Sequence, residues 1–385
     1  MSGKSNRGAK LLPMRRRRAL AFSALALLVV AVAATSSWAR GAVTWPTEAQ
    51  ETATSGTFSN LPFCGTKPIT LGIHDGFGIN AWSQESYAAV RSEAAKCSNV
   101  KQIVVLGGGD LQKSISDVNS MVAQGAKAIV MIPDFGQAQL ASIQAATAAG
   151  VKVVPWGADP GGTPGKDYVS YVDWSSPIAG TMWANWMVKL LDGKGKVVFL
   201  GGPAGNPVTT GQLKSIVKVF AKHPGMKLLT GTKTWPVTNW DPATAQKQMA
   251  ALLAKYPKID GLISDYSTDA LAATRAFQAA NRELVPIASL DANGLSCLYQ
   301  KVHKTNPAFQ IATISSRNWL GRVAARKAIA AAEGLPNKEP SSYSLPFYED
   351  STTGQEPVCV KSAAPDFYAS NEISQANVTK YGKPS

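Results

Sequence analysis

Short apolar runs and amphipathic segments alternate along the chain from Ile69 onwards. The apolar runs are four to six residues long and rich in β-branched side chains, which is typical of buried strands. They cover Ile69–His74, Gln102–Leu106, Ala128–Ile132, Val151–Trp156 and Tyr168–Val172, then Lys196–Leu200, Lys227–Thr230, Gly261–Ser264, Pro286–Leu290 and Gln310–Ile314. The pattern therefore predicts ten strands in two runs of five.

The segments between these runs have helical periodicity. One predicted helix places Leu111, Ile115 and Val118 on a single face, and Gly125 follows where a left-handed residue would end it. Further helices are predicted from Ser176-Pro177, from Asp241-Pro242 and over Asn318–Glu333.

Strands and helices that alternate at this spacing form parallel sheets from β-α-β units. Two runs of strands favour two doubly wound, Rossmann-like domains over the main competing fold, a single (β/α)8 barrel. The barrel leaves the extra strands unexplained, as well as the irregular segment from Leu335 to Ser385. We therefore expect an α/β protein with two parallel-sheet domains, an N-terminal lead-in at 40–66 and a C-terminal strap at 351–385.

The first 39 residues have the pattern of a secretory signal peptide. Arg15–Arg18 supply the positive region, Ala19–Ala34 the apolar region, and Ser37-Trp38-Ala39 the small residues that signal peptidase reads. We expect cleavage after Ala39, with Ala42 as a second candidate. The alternative is an uncleaved anchor, but the apolar run has 16 residues. About 20 are needed to cross a bilayer.

Half of the net charge of +14 over 385 residues comes from this segment. Seven of the 39 Lys and Arg residues lie in the first 39 positions, where no acidic residue occurs. The remaining 32 basic and 25 acidic residues are scattered singly along the sequence, without a basic run or a basic helix. A mildly basic surface explains this charge, and we expect no nucleic-acid partner.

The chain contains four cysteines, Cys64, Cys97, Cys297 and Cys359. An even number in an exported protein suggests two disulfides, and three pairings are possible. We favour Cys64–Cys97, which brackets one strand–helix unit whose distal ends lie close together, and hence Cys297–Cys359. Buried free thiols are the alternative. No cysteine directly follows the apolar run or forms a Cys/His cluster, so we expect neither a lipid anchor nor a metal site.

The candidate ligand-binding residues follow the predicted strands, because open parallel sheets bind ligands beyond the carboxyl ends of their strands. Carboxylates recur there beside aromatic rings, a combination that suits the hydroxyl groups and C–H faces of a polyhydroxylated ligand. The candidates are Asp75, Asn80, Trp82, Asp134, Trp156 and Asp159 in the first half, and Trp240, Asp265, Tyr266, Asp291, Ser316 and Arg317 in the second. The alternative for each is structural, since strand-end Asp residues often cap helices and single Trp residues often lie in cores.

The sequence contains little that indicates catalysis. Gly-x-Ser-x-Gly, P-loop and His-Glu-x-x-His motifs are absent. Gly76 and Gly78 resemble half of a dinucleotide fingerprint, but the third glycine is missing, so we expect no nucleotide and no other cofactor. His74 and Asp75 are neighbours, yet adjacent strand residues point to opposite faces.

Five segments of the chain resemble periplasmic sugar-binding proteins of ABC importers, the ribose-binding-like type I family. In order they are Gly125–Val130, Ala148–Val154, Gly193–Val198, Tyr256–Gly261 and Asp269–Ala273. Each segment alone is unspecific, whereas their order and spacing together are specific. The resemblance extends from Ile69 to about Gly334, which is roughly 70% of the chain.

The resemblance implies two domains that close on a ligand about three crossover strands. It places the crossovers near Asp173, Ala292 and Ser315. The domains that it implies are residues 67–173 with 316–350, and residues 174–315. It also implies that Trp82 and Trp240 enclose the ligand from opposite sides.

Other site positions of the family match less completely. Asp291 falls at the hinge-proximal Asp and Ser316 at a crossover Gln. Tyr266 falls at the Asn of an Asn-Asp pair, with Asp265 beside it. Gly157-Ala158 stand where the family has Asp-Arg, and Ile132 replaces an Asn. The resemblance thus implies a ligand other than the common aldopyranoses or ribose: a different sugar, a polyol or another small polar molecule.

These observations together predict an exported, periplasmic and monomeric binding protein without a lipid anchor. It would capture a small polar ligand between its domains and deliver it to the permease of an ABC transporter. An exported enzyme that acts on a similar substrate is the main alternative. The effector domain of a transcription regulator shares the fold, but the signal peptide argues against it.

Overall fold

The computed structural model describes residues 62–383, except 79, 174–175, 344–345 and 372. The predicted signal peptide, its cleavage site and most of the predicted lead-in therefore lie outside the described residues. Within the described part of the chain, every helix is too short or too polar to cross a membrane.

A first sheet follows directly from the first run of apolar segments. It contains β1 (Ile69–Asp75), β2 (Val100–Leu106), β3 (Ala128–Ile132) and β4 (Lys152–Pro155), all parallel, in the order β2-β1-β3-β4. The connecting helices are α1 (Ala81–Ala94), α2 (Leu111–Ala123) and α3 (Leu140–Ala148). Asn80 and Asp110 begin α1 and α2, because their side chains accept hydrogen bonds from backbone N–H groups in the first turn.

The predicted fifth strand of this sheet, Tyr168–Val172, is wrong as a full strand. The backbone N–H groups of Val169 and Val172 donate to the carbonyl groups of Val153 and Pro155, but only a single bridge between Trp156 and Val172 forms. The preceding loop is rich in Gly and Pro, which limits regular pairing along this edge.

A second sheet contains six strands. They are β5 (Gly195–Leu200), β6 (Met226–Leu228), β7 (Gly261–Ser264), β8 (Ile287–Leu290), β9 (Ile311–Ile314) and β10 (Phe347–Asp350), in the order β10-β9-β8-β7-β5-β6. The helices of this region are α4 (Ser176–Leu190), α5 (Pro207–Phe220), α6 (Pro242–Lys255), α7 (Ser267–Ala279) and α8 (Asn293–Val302). Two more helices, α9 (Leu320–Glu333) and α10 (Gln375–Tyr381), pack against α1 of the first sheet. We call the first sheet with α1–α3 and α9 the first lobe, and the second sheet with α4–α8 the second lobe.

Apolar side chains cover both faces of the first sheet. Alternate residues of β3 point to opposite faces, so that Val130 packs with α1 and α9 while Ile129 and Met131 pack with α2 and α3. This burial on both faces explains why the strand is apolar without interruption.

The strand β10 corrects one predicted domain boundary. Residues 316–350 were expected in the first domain, but Phe347–Asp350 pair antiparallel with β9 in the second sheet. Glu349 is buried there and accepts hydrogen bonds from the hydroxyl groups of Ser296 and Thr313 at 2.7 and 2.8 Å. The other boundaries stay predictions.

The crossovers between the lobes lie near Asp173, near Ser315 and between α9 and β10, where the described residues include Ser342. The segments at Asp173 and Ser342 run side by side as a parallel bridge. The predicted crossover at Ala292 is wrong, because Ala292 leads directly into α8, which returns to β9 beside β8 in the same sheet.

The C-terminal strap, predicted at 351–385, connects the two lobes once more. The disulfide Cys297–Cys359 fastens it to α8, and the side-chain amide of Asn293 donates to the carbonyl groups of Val360 and Ala363. The strap then reaches the first lobe, where α10 packs on α1. The second disulfide, Cys64–Cys97, closes the far end of the first strand–helix unit, so both bonds have the pairing that the sequence favoured.

Candidate ligand-binding cleft

The carboxyl ends of β1, β3, β7 and β8 border one cavity between the lobes. Eight of the predicted site residues line it: Asp75, Asn80, Trp82, Asp134, Trp240, Asp265, Tyr266 and Arg317. Further lining residues are Phe77, Ser83, Ile132, Gly157, Ala158, Val208 and Leu290.

Trp82 forms the aromatic wall on the side of the first lobe. Its indole N–H donates to the carbonyl oxygen of Ser316 at 2.8 Å, and its ring stacks on Trp156 with centroids 5.8 Å apart. Because both the edge and one face of the ring are held, the remaining surface is fixed in orientation toward the cavity. The bond to Ser316 also couples this ring to a crossover.

Trp240 forms the aromatic wall on the side of the second lobe. Its ring lies against Gly202, where any side chain would clash because a Cβ atom would come within 2.3 Å of the indole. Its N–H donates to Oδ1 of Asp265 at 3.3 Å. Asn239 and Trp240 both have positive φ values, 55° and 52°, a costly backbone geometry that often marks functional positions.

The two lobes touch across the mouth of the cavity. The rings of Phe77 and Trp240 meet edge to face with centroids 4.8 Å apart. The side-chain amide of Asn206, at the start of α5, donates to the carbonyl oxygen of Asp134 at 2.9 Å. These contacts show that the cleft is closed in this structure.

Asp75 and Asp134 lie together at the floor of the cavity on the side of the first lobe. Oδ1 of Asp75 accepts from the backbone N–H groups of Phe77 and Gly78, both at 2.9 Å. Burial raises the pKa of both carboxyl groups, and the negative charge of Asp75 raises that of Asp134 further.

Asp265 holds the aromatic wall of the second lobe in place. Besides Trp240 it accepts hydrogen bonds from the backbone N–H of Gly202 at 3.0 Å and from the hydroxyl of Thr209. Burial raises its pKa to about 6, and these hydrogen bonds limit the rise. Because these hydrogen bonds fix its orientation, the carboxyl group of Asp265 is an acceptor held between the indole ring of Trp240 and the cavity.

Arg317 supplies the cationic side chain of the cavity. It has a positive φ of 63° and lies in the crossover that follows β9. Its guanidinium group is 6.0 Å from the centroid of Trp82, within the range of a cation–π contact. Burial lowers its pKa, whereas the nearby charge of Asp173 opposes this effect.

Four predicted site residues do not line the cavity. Trp156 is only 1% exposed, and its ring stacks on one face of the Trp82 ring. Asp159 is exposed and accepts from the backbone N–H of Gly161, as in a turn. Asp291 and Ser316 are buried at the crossover, where they bond to each other and to the strap.

Asp291 joins three parts of the chain. Its Oδ1 accepts from the backbone N–H of Ser316 at 2.8 Å and from the hydroxyl of Ser370 at 2.6 Å, and its Oδ2 accepts from the backbone N–H of Ser370. Burial raises its pKa to about 6. Asp291 therefore lies beside the crossover at Ser316, where its carboxyl group binds the protein's own strap.

Sequence reasoning missed Phe77, Asn206 and Tyr368 near the site. Phe77 lies two residues after Asp75, in the loop that follows β1. This position at the end of a strand could have indicated a residue of the site. Tyr368 belongs to the strap and packs 6.4 Å from the ring of Tyr266, while its backbone N–H donates to Glu85. The strap has no periodicity that could have indicated this contact.

Metal binding has no structural basis in the described part of the chain. No three His, Cys, Asp or Glu side chains are grouped there in a way that could hold an ion. The chemistry that the cavity offers is hydrogen bonding by carboxyl groups and one guanidinium group, together with contact by aromatic faces.

Two parallel-sheet lobes that close over a polar and aromatic cavity define a two-lobed ligand-binding protein. The model of the periplasmic binding protein domain matches residues 75–335, and the chain belongs to this family. The resemblance identified from the sequence is thus confirmed, and the fold is that of the type I periplasmic binding proteins.

Characterised relatives are similar over about half of the chain. A xylitol-binding protein from Mycolicibacterium smegmatis is 28% identical over 219 residues, which are 56% of this chain and 61% of that protein. A D-apiose import binding protein from Paraburkholderia graminis is 26% identical over 51% of this chain and 61% of its own length. The match thus spans about three fifths of each relative.

Solved structures share the fold at low sequence identity. An ABC transporter solute-binding protein from Agrobacterium vitis with bound allitol has a TM-score of 0.65 and 20% identity, covering 77% of this chain and 98% of that one. A galactofuranose-binding protein has a TM-score of 0.63 and 18% identity, covering 76% and 97%.

Proposed function

We propose that this protein captures a small sugar or polyol in the interlobe cleft and delivers it to the permease of an ABC importer. The observation that carries the proposal is the cavity itself, in which both lobes contribute aromatic rings and carboxyl groups. Rings contact the C–H faces of a sugar and carboxyl groups accept its hydroxyl hydrogens. The relatives that bind xylitol and D-apiose support this ligand class.

The eight predicted residues that line the cavity are the proposed ligand contacts. Trp82 and Trp240 would take the ring or carbon chain of the ligand, while Asp75, Asp134 and Arg317 would bind its polar groups. Asp265 would act through Trp240 and as an acceptor of its own. Trp156, Asp291 and Ser316 would position these groups without touching the ligand.

Ligand entry requires the lobes to separate. The contact between Phe77 and Trp240 and the bond from Asn206 to Asp134 both join the lobes, so both must break on opening. A ligand that contacts both lobes would favour the closed form, because it binds that form more tightly than the open one. The closed form would then be the one that docks on the permease.

The site of action follows from the same proposal. The signal peptide predicted at 1–39 would direct the chain across the cytoplasmic membrane, and the family supports a periplasmic location. We propose a monomer, since the cleft is complete within one chain. We also propose binding without turnover, in agreement with the family and its relatives.

A ligand screen tests the proposal directly. Purified mature protein is incubated with aldoses, ketoses, furanoses and alditols, including xylitol, allitol and D-apiose, and its melting temperature and tryptophan fluorescence are recorded. A cognate ligand should raise the melting temperature and change the emission, since Trp82 and Trp240 line the cavity. If no compound in the panel changes either signal, the proposal fails; chemical conversion of a bound compound would instead indicate an enzyme.

A further inference from the structure

Acidic groups outnumber basic groups around the cavity. Among the described residues that line it, Asp75, Asp134 and Asp265 carry carboxyl groups and Arg317 alone carries a cationic side chain. The negative charge of Asp173 also lies close enough to Arg317 to raise the pKa of its guanidinium group. The chain after residue 39 has more basic than acidic residues, so this acidity is a local property of the cleft.

Asp75 and Asp134 both line the cavity, and each has one buried oxygen without a hydrogen-bond partner in the described part of the chain. Their side chains are 2% and 7% exposed, and Oδ2 of each has no hydrogen-bond partner among the described residues. Gly76 brings them together: a Cβ atom on Gly76 would lie 2.6 Å from Oδ2 of Asp134, so only glycine lets this carboxyl group approach the loop that begins with Asp75. Two buried acceptors therefore await donors at one place.

Neutral hydroxyl groups could satisfy these oxygens but would not offset their charge. Two buried carboxylates repel each other, and each is costly to desolvate without a nearby cation. Arg317 does not remove this imbalance, since its effect on the pKa of Asp134 is smaller than the opposing effect of Asp75. A ligand with a positive charge would offset this excess of negative charge.

We propose that the preferred ligand is a sugar or polyol that carries an amine, and that its ammonium group binds between Asp75 and Asp134. The inference rests on the proposed function, because it concerns the same cleft. An ammonium group offers three N–H donors together with the missing charge, and such charge-assisted bonds are about twice as strong as neutral ones. The aromatic faces of Trp82 and Trp240 favour a cation as well.

Matched ligand pairs test this inference. Calorimetric titration compares D-glucosamine with D-glucose, D-galactosamine with D-galactose, and D-glucamine with sorbitol, and it compares any further hit of the screen with its amino-deoxy derivative. Each pair differs in one hydroxyl replaced by an amine. In at least one pair the amine should bind at least about tenfold more tightly, which corresponds to about 1.4 kcal/mol.

Charge variants locate the effect. In Asp134→Asn the amine should lose at least about tenfold in affinity while its hydroxyl partner changes by less than about threefold. Asp75→Asn provides the same test should Asp134→Asn fold poorly, and melting temperatures report on folding. Asp159→Asn removes one negative charge outside the cavity and should leave both affinities unchanged.

The outcomes separate the two proposals. If hydroxyl compounds bind and none of their amine partners binds more tightly, the amine inference is overturned and the proposed function stands. If Asp134→Asn and Asp75→Asn both retain the amine preference, the assignment of the ammonium site is overturned. If no compound of either kind binds, the proposed function fails and the inference fails with it.

Discussion

The ring of Phe77 in the first lobe meets the ring of Trp240 in the second lobe edge to face, with centroids 4.8 Å apart. Phe77 follows β1 directly and is held there by Asp75, which accepts its backbone N–H. Trp240 is held by Asp265 and by the flat surface of Gly202. Both rings of this contact are therefore held by carboxyl groups that line the cavity, Asp75 and Asp265.

Loss of this ring contact should weaken closure. Phe77→Ala removes an aromatic pair worth about 0.5–1.5 kcal/mol, so we expect the ligand to dissociate about 2–12-fold faster. Phe77→Leu keeps apolar surface and should have a smaller effect. Stopped-flow tryptophan fluorescence measures the rates, and equal rates in all three proteins would show that the contact does not contribute to closure.

The two tryptophans of the cavity should each contribute to affinity. Trp82→Ala and Trp240→Ala should each weaken binding of the cognate ligand by about 1–3 kcal/mol, because a stacked ring is lost from a desolvated site. Trp319 packs on Tyr343 and does not line the cavity, so Trp319→Phe is the control. Titration calorimetry gives the affinities, and equal losses in all three variants would contradict the assignment.

The attachment of the strap at the crossover should stabilise the fold. Ser370→Ala removes a hydroxyl that donates to Asp291 at 2.6 Å. A buried carboxyl group then loses a partner, which should lower the free energy of unfolding by about 1–3 kcal/mol. Urea unfolding measures the change, with the exposed Ser98→Ala as control. A stability equal to that of the control would show that the strap is not held at this position.

The stability of the protein should fall as the pH rises from about 4.5 to about 7. Burial raises the pKa of Glu349 from 4.5 to about 7 in the folded protein, so the folded state binds a proton that the unfolded state has released over this range. The stabilisation by this proton is complete below the unfolded pKa and is lost as the pH passes the folded pKa. Its size is on the order of 3 kcal/mol.

Glu349→Gln removes this titration and should make the stability less dependent on pH. Urea unfolding at about pH 5 and about pH 8 compares the variant with the parent protein. Other buried carboxyl groups with raised pKa values should account for the slope that remains, among them Asp265 and Asp291, both at about 6. Glu283→Gln changes an exposed carboxyl group and is the control. An unchanged slope in Glu349→Gln would contradict the prediction.

Much of the fold could be predicted because burial of both sheet faces leaves a direct mark on the sequence. Residues of β3 are apolar without interruption, and Asn80 and Asp110 mark where helices begin. The same reasoning placed Asp75 and Asp265 at the sheet edges that border the cavity. Strand ends and helix starts are local features, and a single sequence shows them.

The errors concern relationships between distant segments. Asp291 has the position of a ligand-binding residue, but its partners are Ser316 and Ser370, which lie 25 and 79 residues away. Trp156 directly follows β4 and Trp82 lies at the start of α1, and only the three-dimensional packing decides which of the two rings faces the cavity. No local sequence pattern indicates which of the two tryptophans faces the cavity.

The strap passes the crossovers at Ser370 and is anchored on both sides of them, by Cys359 and by α10. A connection across the mouth of the cleft would have to stretch when the lobes part, whereas a connection beside the rotation axis changes little in length. We therefore expect the strap to permit a simple bending of one lobe away from the other and to resist a twist between them. With the twist restricted in this way, Trp82 and Trp240 would return to the same relative position each time the cleft closes.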